Sequence, residues 1–406
     1  MIGASSGSKP VSRRGVLASS IPVLSGCAGA PRTSRDRRRA GSVRVNRGET
    51  RPGADGRLGF VGDVMLGREV DEHWSDGPPG GVWDGLRGRL RGLDGLFLNL
   101  ECCVSDRGDP RPSRTYQFRA DPDWVVPALK AVDATWASLA NNHVLDFGPV
   151  ALSDTREHLD DAGVAHAGAG PDRTAALAPS VVTAGTLRVG VVAFTDRAPS
   201  YAAGPERPGT AFARLDPGDP VTRKRVGGAL AAVRDADPDL VVASLHWGPN
   251  WEIRPADTQR AFARWLVDRG VDLVHGHSAH VIQGIECYRG RPICYDCGDF
   301  VDDYLFRDDR HNKRSCLFEL RVVDGKPAAM FLHPVQIYDE SVHPAGDAEA
   351  AWLREKLSRR SAAFGTTVER DGRGLVVPLS AEDCRATGGR EERRDGRIFG
   401  QENAEK

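Results

Sequence analysis

The sequence has only three methionines and six tyrosines in 406 residues. It also lacks any stretch of about 18 apolar residues, the length a membrane-spanning helix needs. A helix crossing a bilayer is therefore excluded. An excess of one charge is missing too: 55 Lys and Arg face 56 Asp and Glu, a formal net charge of −1. No expected strand or helix carries a dense basic stripe, so nothing points to nucleic acid as a partner. No internal repeat is visible, which leaves no basis for a repeat architecture. What is present is ordinary: 40% apolar residues suffice for a sizeable core. The length admits two or three average domains, although α/β proteins often use it for one.

The two ends read differently from the middle. Ser12-Arg13-Arg14-Gly15-Val16-Leu17 places paired arginines before a mildly apolar stretch that closes with Leu24-Ser25-Gly26-Cys27. That order of charged, apolar and small segments reads as a twin-arginine export signal over 1–27. Its end resembles a lipobox, so Cys27 is the expected lipidation site. The chain is then expected as a cell-surface lipoprotein on the outer face of the cytoplasmic membrane. Eight arginines lie between Pro31 and Arg51, with almost no large apolar residue. The segment 28–56 therefore reads as a flexible linker. The alternative is that its arginines lie along anionic lipid headgroups. Residues 381–406, rich in both charges and glycine, read as a disordered tail.

Between them, 57–380 alternates strands and helices. Strands are expected over Leu58–Val61, Gly95–Leu100, Leu187–Phe194, Asp239–Leu245 and Val271–His275, with a weaker run over Ala134–Ala140. Helical spacing marks Trp124–Val132, Leu152–Ala162, Ala256–Arg269 and Glu349–Phe364. Ser315–Val323 and Ala329–Ile337 have no helix between them and look antiparallel. The repeated strand–helix–strand order argues for an α/β layered domain.

Polar clusters sit where these strands end, the edge at which open α/β sheets bind ligands. Asp63 after Gly62 is either a turn residue or a hard carboxylate for a divalent ion. Glu101 after Asn99-Leu100 either bridges two ions or caps a turn. Asn142 offers an amide oxygen, His143 a proton donor, and Asp146 a carboxylate to orient that imidazole. Their bland reading is an N-cap and a surface histidine. His246 ends an apolar strand, where a lone histidine is commonly a satisfied core residue. His277 and His280, after Gly276, can aim at one locus, whereas alternation would put His275 on the other face. Arg68 is read as a clamp for an anionic oxygen or as a surface arginine. Together these residues make a plausible site for two divalent ions.

In this order the motifs Gly62–Arg68, Asn99–Glu101, Ala140–Gly148, His246–Gly248 and Gly276–Glu286 resemble the poly-γ-glutamate capsule-synthesis (CapA) family, which is similar to calcineurin-like metallophosphoesterases. The resemblance covers roughly Leu58 to Ile337. It implies a four-layer α/β/β/α sandwich with a two-metal site on one edge. By position, Asp63 would hold the first ion and Glu101 would bridge both. Asn142 and His246 would hold the second, His277 and His280 would complete the shells, and His143 would donate the proton. One or two ions of manganese, iron or zinc per chain are implied. The departures are a methionine, Met65, where related enzymes have the histidine of Asp-x-His, histidines three apart instead of two, Glu101 for an aspartate, and Asp299 in a segment that usually reads Gly-Asn-Phe. The first site is accordingly expected to be poor in ligands.

The function implied is that of a surface protein in capsule or polymer biosynthesis, acting as a metal-dependent phosphoesterase on a phosphoester or an anionic polymer, within a polymer-synthesis membrane complex. A metal-dependent amide-bond enzyme and a non-enzymatic polymer-binding or assembly lipoprotein stay open. With Cys27 given to the anchor, seven cysteines remain. Buried free thiols are expected, with a Cys294–Cys297 or cross-loop disulfide as the next reading. A zinc site combining Cys102, Cys103, Cys294 and Cys297 is disfavoured because adjacent cysteines rarely ligate one tetrahedral ion.

Overall fold

Strand β1 (Gly56–Val64) and β2 (Gly95–Leu100) begin a parallel set in which apolar side chains alternate between two buried faces. The computed structural model describes residues 53–112, 114–380 and 384, which fall in one compact unit. The expected signal 1–27 with Cys27, nearly all of the linker 28–56, and the tail 381–406 apart from Cys384 lie outside the described residues.

Helix α1 (Pro122–Ala131) starts where Asp121 caps it, accepting from the Asp123 N–H, with Pro122 in the first turn. It leads to β3 (Ala134–Ser138). Helix α2 (Gly148–Ala162) stops at Gly163, whose φ of 75° is a left-handed end that favours glycine, and β4 (Ala165–Ala167) follows. The next strands are β5 (Ser180–Ala184) and β6 (Leu187–Thr195). Helix α3 (Pro220–Asp235), β7 (Leu240–His246), α4 (Asp257–Val267) and β8 (Leu273–His277) continue the alternation. Strands β9 (Ile285–Tyr288), β10 (Arg291–Cys294) and β11 (Asp299–Val301) come next. The long pair β12 (Arg314–Val323) and β13 (Lys326–Tyr338), helix α5 (Asp347–Ala362) and β14 (Gly374–Pro378) complete the main elements.

Two sheets result. In the ten-stranded sheet the main order is β14-β13-β12-β1-β2-β3-β4, with β11 beside β1; the six-stranded sheet runs β9-β10-β8-β7-β6-β5. Strands β1 to β4 are mutually parallel, as are β6, β7 and β8. The pair β12–β13 is antiparallel, as its missing helix indicated.

Alternation sorts the side chains into layers. Leu96, Leu98 and Leu100 of β2 pack outward with Val125 and Leu129 of α1 and Leu152 of α2. Phe97 faces inward, with Phe60, Trp136, Val189, Val191, Leu240 and Leu273, in the core between the sheets. Val241, Ala243 and Leu245 of β7 face outward onto Phe262 and Leu266 of α4 and Leu230 of α3. The architecture is an α/β/β/α sandwich. Helix α5 contributes Leu353 and Leu357 to the intersheet core.

The first strand is longer than the expected Leu58–Val61 and carries Asp63 within it. The pairing of β1 with β2 shifts register between Phe60 and Asp63. That irregularity turns Asp63 to the intersheet face while Val61 and Val64 both pack outward. Gly62 allows it, because a Cβ there would lie 1.7 Å from the Gly298 carbonyl oxygen. The Asp63 N–H donates to that same oxygen at 3.0 Å.

Gly62→Ala should therefore lower stability by about 2 kcal/mol or more, the scale of overpacking a closed interior. Thermal unfolding measures it, and an unchanged melting temperature would show that β1 and β11 are not in such close contact.

Candidate metal centre

The carboxyl ends of β1, β2, β7 and β8 meet between the sheets, each bringing an inward-facing polar side chain. Asp63, Asn99, Glu101, Ser244, His246 and His277 have no exposed surface. Two loops close the cluster. One follows β3 and carries Asn141, Asn142, His143 and Asp146. The other follows β8, and in it Ser278 (φ 107°) and His280 (φ 58°) adopt backbone conformations that non-glycine residues rarely take. Asp296 fixes that second loop by accepting the Ala279 N–H at 2.7 Å and the Gly298 N–H at 2.8 Å.

Hydrogen bonds decide which histidine nitrogens offer lone pairs. The Val61 carbonyl, 2.8 Å from His275 Nε2, can only accept, so His275 donates there and keeps a lone pair on Nδ1. Ser244 Oγ, 3.3 Å from that Nδ1, donates to it and accepts from His277 Nε2 at 3.0 Å. His277 is thereby left with a lone pair on Nδ1. His246 Nε2 lies 2.6 Å from Asn142 Oδ1 and donates to it, which leaves the lone pair on His246 Nδ1, where Asn99 Nδ2 also donates at 3.3 Å. These two lone-pair nitrogens face each other at 3.0 Å. Asp63 Oδ1 stands 3.7 Å from the first and 3.6 Å from the second.

A second group shares the same carboxylate. Asp63 Oδ2 is 3.3 Å from His280 Nδ1, and Glu101 completes a set with Asp63 and His280 whose donor atoms lie within 4.8 Å of one another. Both Glu101 oxygens are buried and accept no hydrogen bond. Metal–ligand bonds of about 2.0–2.2 Å put neighbouring ligand atoms roughly 3.0–3.5 Å apart, close to the spacings found here. Opposed lone pairs and a buried unsatisfied carboxylate are unfavourable in the protein alone and become favourable around a cation. The residues fit divalent ions.

The electrostatics agree. Burial pushes His246 and His277 well below the usual imidazole value, keeping both neutral as ligands must be. Burial would raise Asp63, but hydrogen bonding and charge from His280, with help from His277 and Asn99, hold it below its ordinary value. Glu101 is pushed well up by burial and by the charge of Asp63. Burial opposes the charge on His280, yet Asp299 and Asp63 outweigh it and raise that imidazole well above its ordinary value.

Beside these groups stands a histidine–carboxylate pair. His143 Nδ1 lies 2.5 Å from Asp146 Oδ2 and donates to it. Asp146 also accepts from the Phe118 N–H at 3.0 Å and from the Tyr201 hydroxyl at 2.9 Å. The His143 ring stacks on Phe118 with centroids 3.9 Å apart. Its Nε2 then faces Glu101 Oε1 at 3.9 Å and the Arg114 guanidinium at 3.3 Å. Burial lowers the His143 pKa, outweighing the pull of Asp146.

Several placements differ from expectation. The place between the two groups is held by Asp63, one oxygen to each, and not by Glu101. Asn142 is within 2.6 Å of His246 and orients it. Arg68 does not reach the cluster: it pairs with Asp303, its Nε donating at 2.9 Å, and its guanidinium lies against Phe118 and Tyr304. His275 shares the inward face with His277, because β8 runs to His277; it is kept out by depth, bonded to the β1 backbone.

The sequence reading passed over Asn141, whose Oδ1 accepts from the His143 and Val144 N–H groups while Nδ2 donates to the Leu100 carbonyl. It also passed over Asn99, Ser244, Arg114 and Tyr201. Only Asn99 and Asn141 lay inside quoted motifs. Among the cysteines, 102, 103, 294, 297 and 316 are free and buried, and Cys287 is bonded to Cys384. Cys102 belongs to the outer core and Cys294 and Cys297 to the intersheet core, so no zinc site unites them.

Comparison with known proteins gives the following. The family described as bacterial capsule synthesis protein PGA_cap matches residues 57–304. A probable polyglutamine synthesis accessory protein of Mycobacterium tuberculosis (strain ATCC 25618 / H37Rv) is 38% identical over 68% of this chain and 74% of its own. The capsule biosynthesis protein CapA of Bacillus anthracis is 28% identical over 71% and 69%. The PGA biosynthesis protein CapA of Bacillus subtilis (strain 168) is 26% identical over 70% and 72%.

Elemental analysis of protein purified without chelator should find manganese, iron or zinc, and His246→Ala or His277→Ala should lose it. Because His280 and Glu101 hold protons more tightly than usual, ion uptake must expel them. Mn²⁺ binding should therefore release protons and strengthen as pH rises. Calorimetry in buffers of different ionisation enthalpy counts those protons, and none released would mean a donor set already deprotonated.

Proposed function

This chain belongs to the bacterial capsule synthesis protein family, and from that premise we propose that it is an accessory protein of poly-γ-glutamate synthesis whose buried centre is a divalent-ion-dependent phosphoesterase. In this reading the chain is exported, anchored at the outer face of the cytoplasmic membrane by a lipid on Cys27, and works beside a membrane-bound polymer synthase. The relatives named for capsule and polyglutamine synthesis support the process. The hydrolytic activity rests on one observation: the His143–Asp146 pair turns its other imidazole nitrogen toward Glu101, one of the ligand residues.

Asp63, His246 and His277 would hold one ion, and Asp63, Glu101 and His280 the other. Bound divalent ions supply Lewis acidity and charge neutralisation at phosphorus. The chain's residues do the rest. Attack of water on phosphorus forms one P–O bond while the bond to the leaving oxygen breaks. That oxygen needs a proton, and His143 Nε2 is placed to carry one from water to it. Asp146 holds Nδ1–H, so the ring turns the same nitrogen toward Glu101 throughout. Arg114 beside Nε2 offers a cation for an anionic substrate oxygen and adds to burial in keeping the resting imidazole neutral. Phe118 and Tyr201 fix the pair and shield it from water.

Replacing His143 with alanine should reduce phosphoester turnover by about 10²–10⁴-fold, the usual worth of a positioned proton carrier, with the metal content retained. Turnover equal to the unsubstituted protein would sink the role of His143. Cleavage of γ-glutamyl amides by the unsubstituted protein, with none of phosphoesters, would move the centre to carbonyl chemistry.

A further inference from the structure

Three acidic residues near the centre, Asp299, Asp302 and Asp303, end in different company. Asp303 is paired with Arg68 and Asp302 with Lys313. Among the described residues Asp299 has no Lys or Arg partner; it pairs with His280, whose Nδ1 lies 2.9 Å from Asp299 Oδ1. The other oxygen, Oδ2, is buried with no hydrogen-bond partner, on a residue with no exposed surface. Leaving such an atom unsatisfied costs about 1–3 kcal/mol, and more for a charged group.

We propose that Asp299 is a metal ligand, the fourth donor of the group formed by Asp63, Glu101 and His280. This rests on the reading of that group as a divalent-ion site. The backbone places Asp299 for the role. Strand β11 runs parallel to β1 with Asp299 opposite Asp63, and the Asp63 N–H bond to the Gly298 carbonyl locks the two strands together. His280 Nδ1 lies 2.9 Å from Asp299 Oδ1 and 3.3 Å from Asp63 Oδ2, so one nitrogen adjoins both carboxylates at the separation of atoms that share an ion. No alternative donor comes from β1 beyond Asp63. Val64 and Met65 are packed in the apolar outer core, and Met65 Sδ is spent on the Gly67 N–H at 3.2 Å. With Asp299 the group offers three carboxylates and one imidazole, a hard, oxygen-rich set suited to Mn²⁺. The two unsatisfied carboxylates of the cluster, Glu101 and Asp299, then have one common explanation.

The test is Mn²⁺ titration of the full chain and of Asp299→Asn, followed by calorimetry. Asparagine keeps the size of the side chain and one oxygen, and removes the anionic charge. The variant should bind one of two Mn²⁺ ions more than about 100-fold more weakly, beyond the roughly 10–100-fold that an outer partner contributes, with the other unchanged. A smaller loss would make Asp299 an outer partner of His280 and overturn the role. Two ions bound equally well by both proteins would overturn the role of Asp299 and leave the centre standing. Failure of the unsubstituted chain to bind Mn²⁺ would overturn the centre and this inference together. If near-ultraviolet circular dichroism shows the variant misfolded, the anomalous difference map of Mn²⁺-soaked wild-type crystals decides. An Asp299 oxygen bonded to a manganese peak supports the role, and one separated from every peak by water overturns it.

Discussion

Asp63 is fully buried at the seam between two sheets, and a carboxylate there is stable only when something answers its charge. The protein answers it from every side. Asn99 donates to Oδ1 at 2.8 Å and the Ser278 N–H to Oδ2 at 3.1 Å, while His246, His277 and His280 surround both oxygens. These residues come from both sheets and the loop after β8, so the seam is held in register partly by the charge buried in it. Yet the answer is incomplete, since Glu101 adds a second buried carboxylate that accepts no hydrogen bond among the described residues. The deficit is local and positive charge is what would fill it.

The close contact of β1 with β11 sets where that charge sits. Gly62 lies against the Gly298 carbonyl, and the register shift after Phe60 turns the next acidic side chain inward. Asp296, whose pKa burial pushes up to about 8, ties the turn before β11 to the loop carrying Ser278 and His280. The strained backbone at those two residues is thus supported from outside the loop. Strain of this kind persists when its surroundings over-determine it, and it aims His280 at Asp63 instead of into solvent.

Much of this was legible along the chain because strand alternation is a strict rule. In β7 the inward set Leu240, Val242, Ser244 and His246 follows from period two alone, and the polar end of an apolar strand marks the site edge. The same rule failed at β1, where the register shift breaks the period, and no local signal in Phe60-Val61-Gly62-Asp63 announces it. It failed at His275 for another reason. The strand was taken to end at His275, whereas His277 lies within it, so both histidines share a face. Arg68 was misplaced because its partner, Asp303, is 235 residues away in sequence. Tyr201 and Arg114 lie on connections without strand or helix periodicity, and nothing local ties them to Asp146. The Cys287–Cys384 bond joins positions 97 apart, a pairing that cysteine spacing does not determine.

A binding role and a chemical one make different demands on His143. To hold an anionic polymer, exposed arginines with mobile side chains suffice, since their charge acts without fixed geometry. His143 is instead immobilised three ways, by Asp146 at Nδ1, by the stacked Phe118 ring, and by Asn141 at its backbone N–H. Burying and neutralising an imidazole makes it a poor anion binder, because burial disfavours the charge that would attract the polymer. The same treatment suits a group that must accept and release a proton at one fixed atom. The pair also comes from the loop after β3, apart from the strands that carry Asp63, His246 and His277. In the proposed reading, proton handling and ion holding are therefore built on separate supports that meet at Glu101 and Asn142. A fixed, neutral imidazole beside a cluster of ion ligands is what the proposed hydrolytic reading calls for, and a passive binding surface has no use for it.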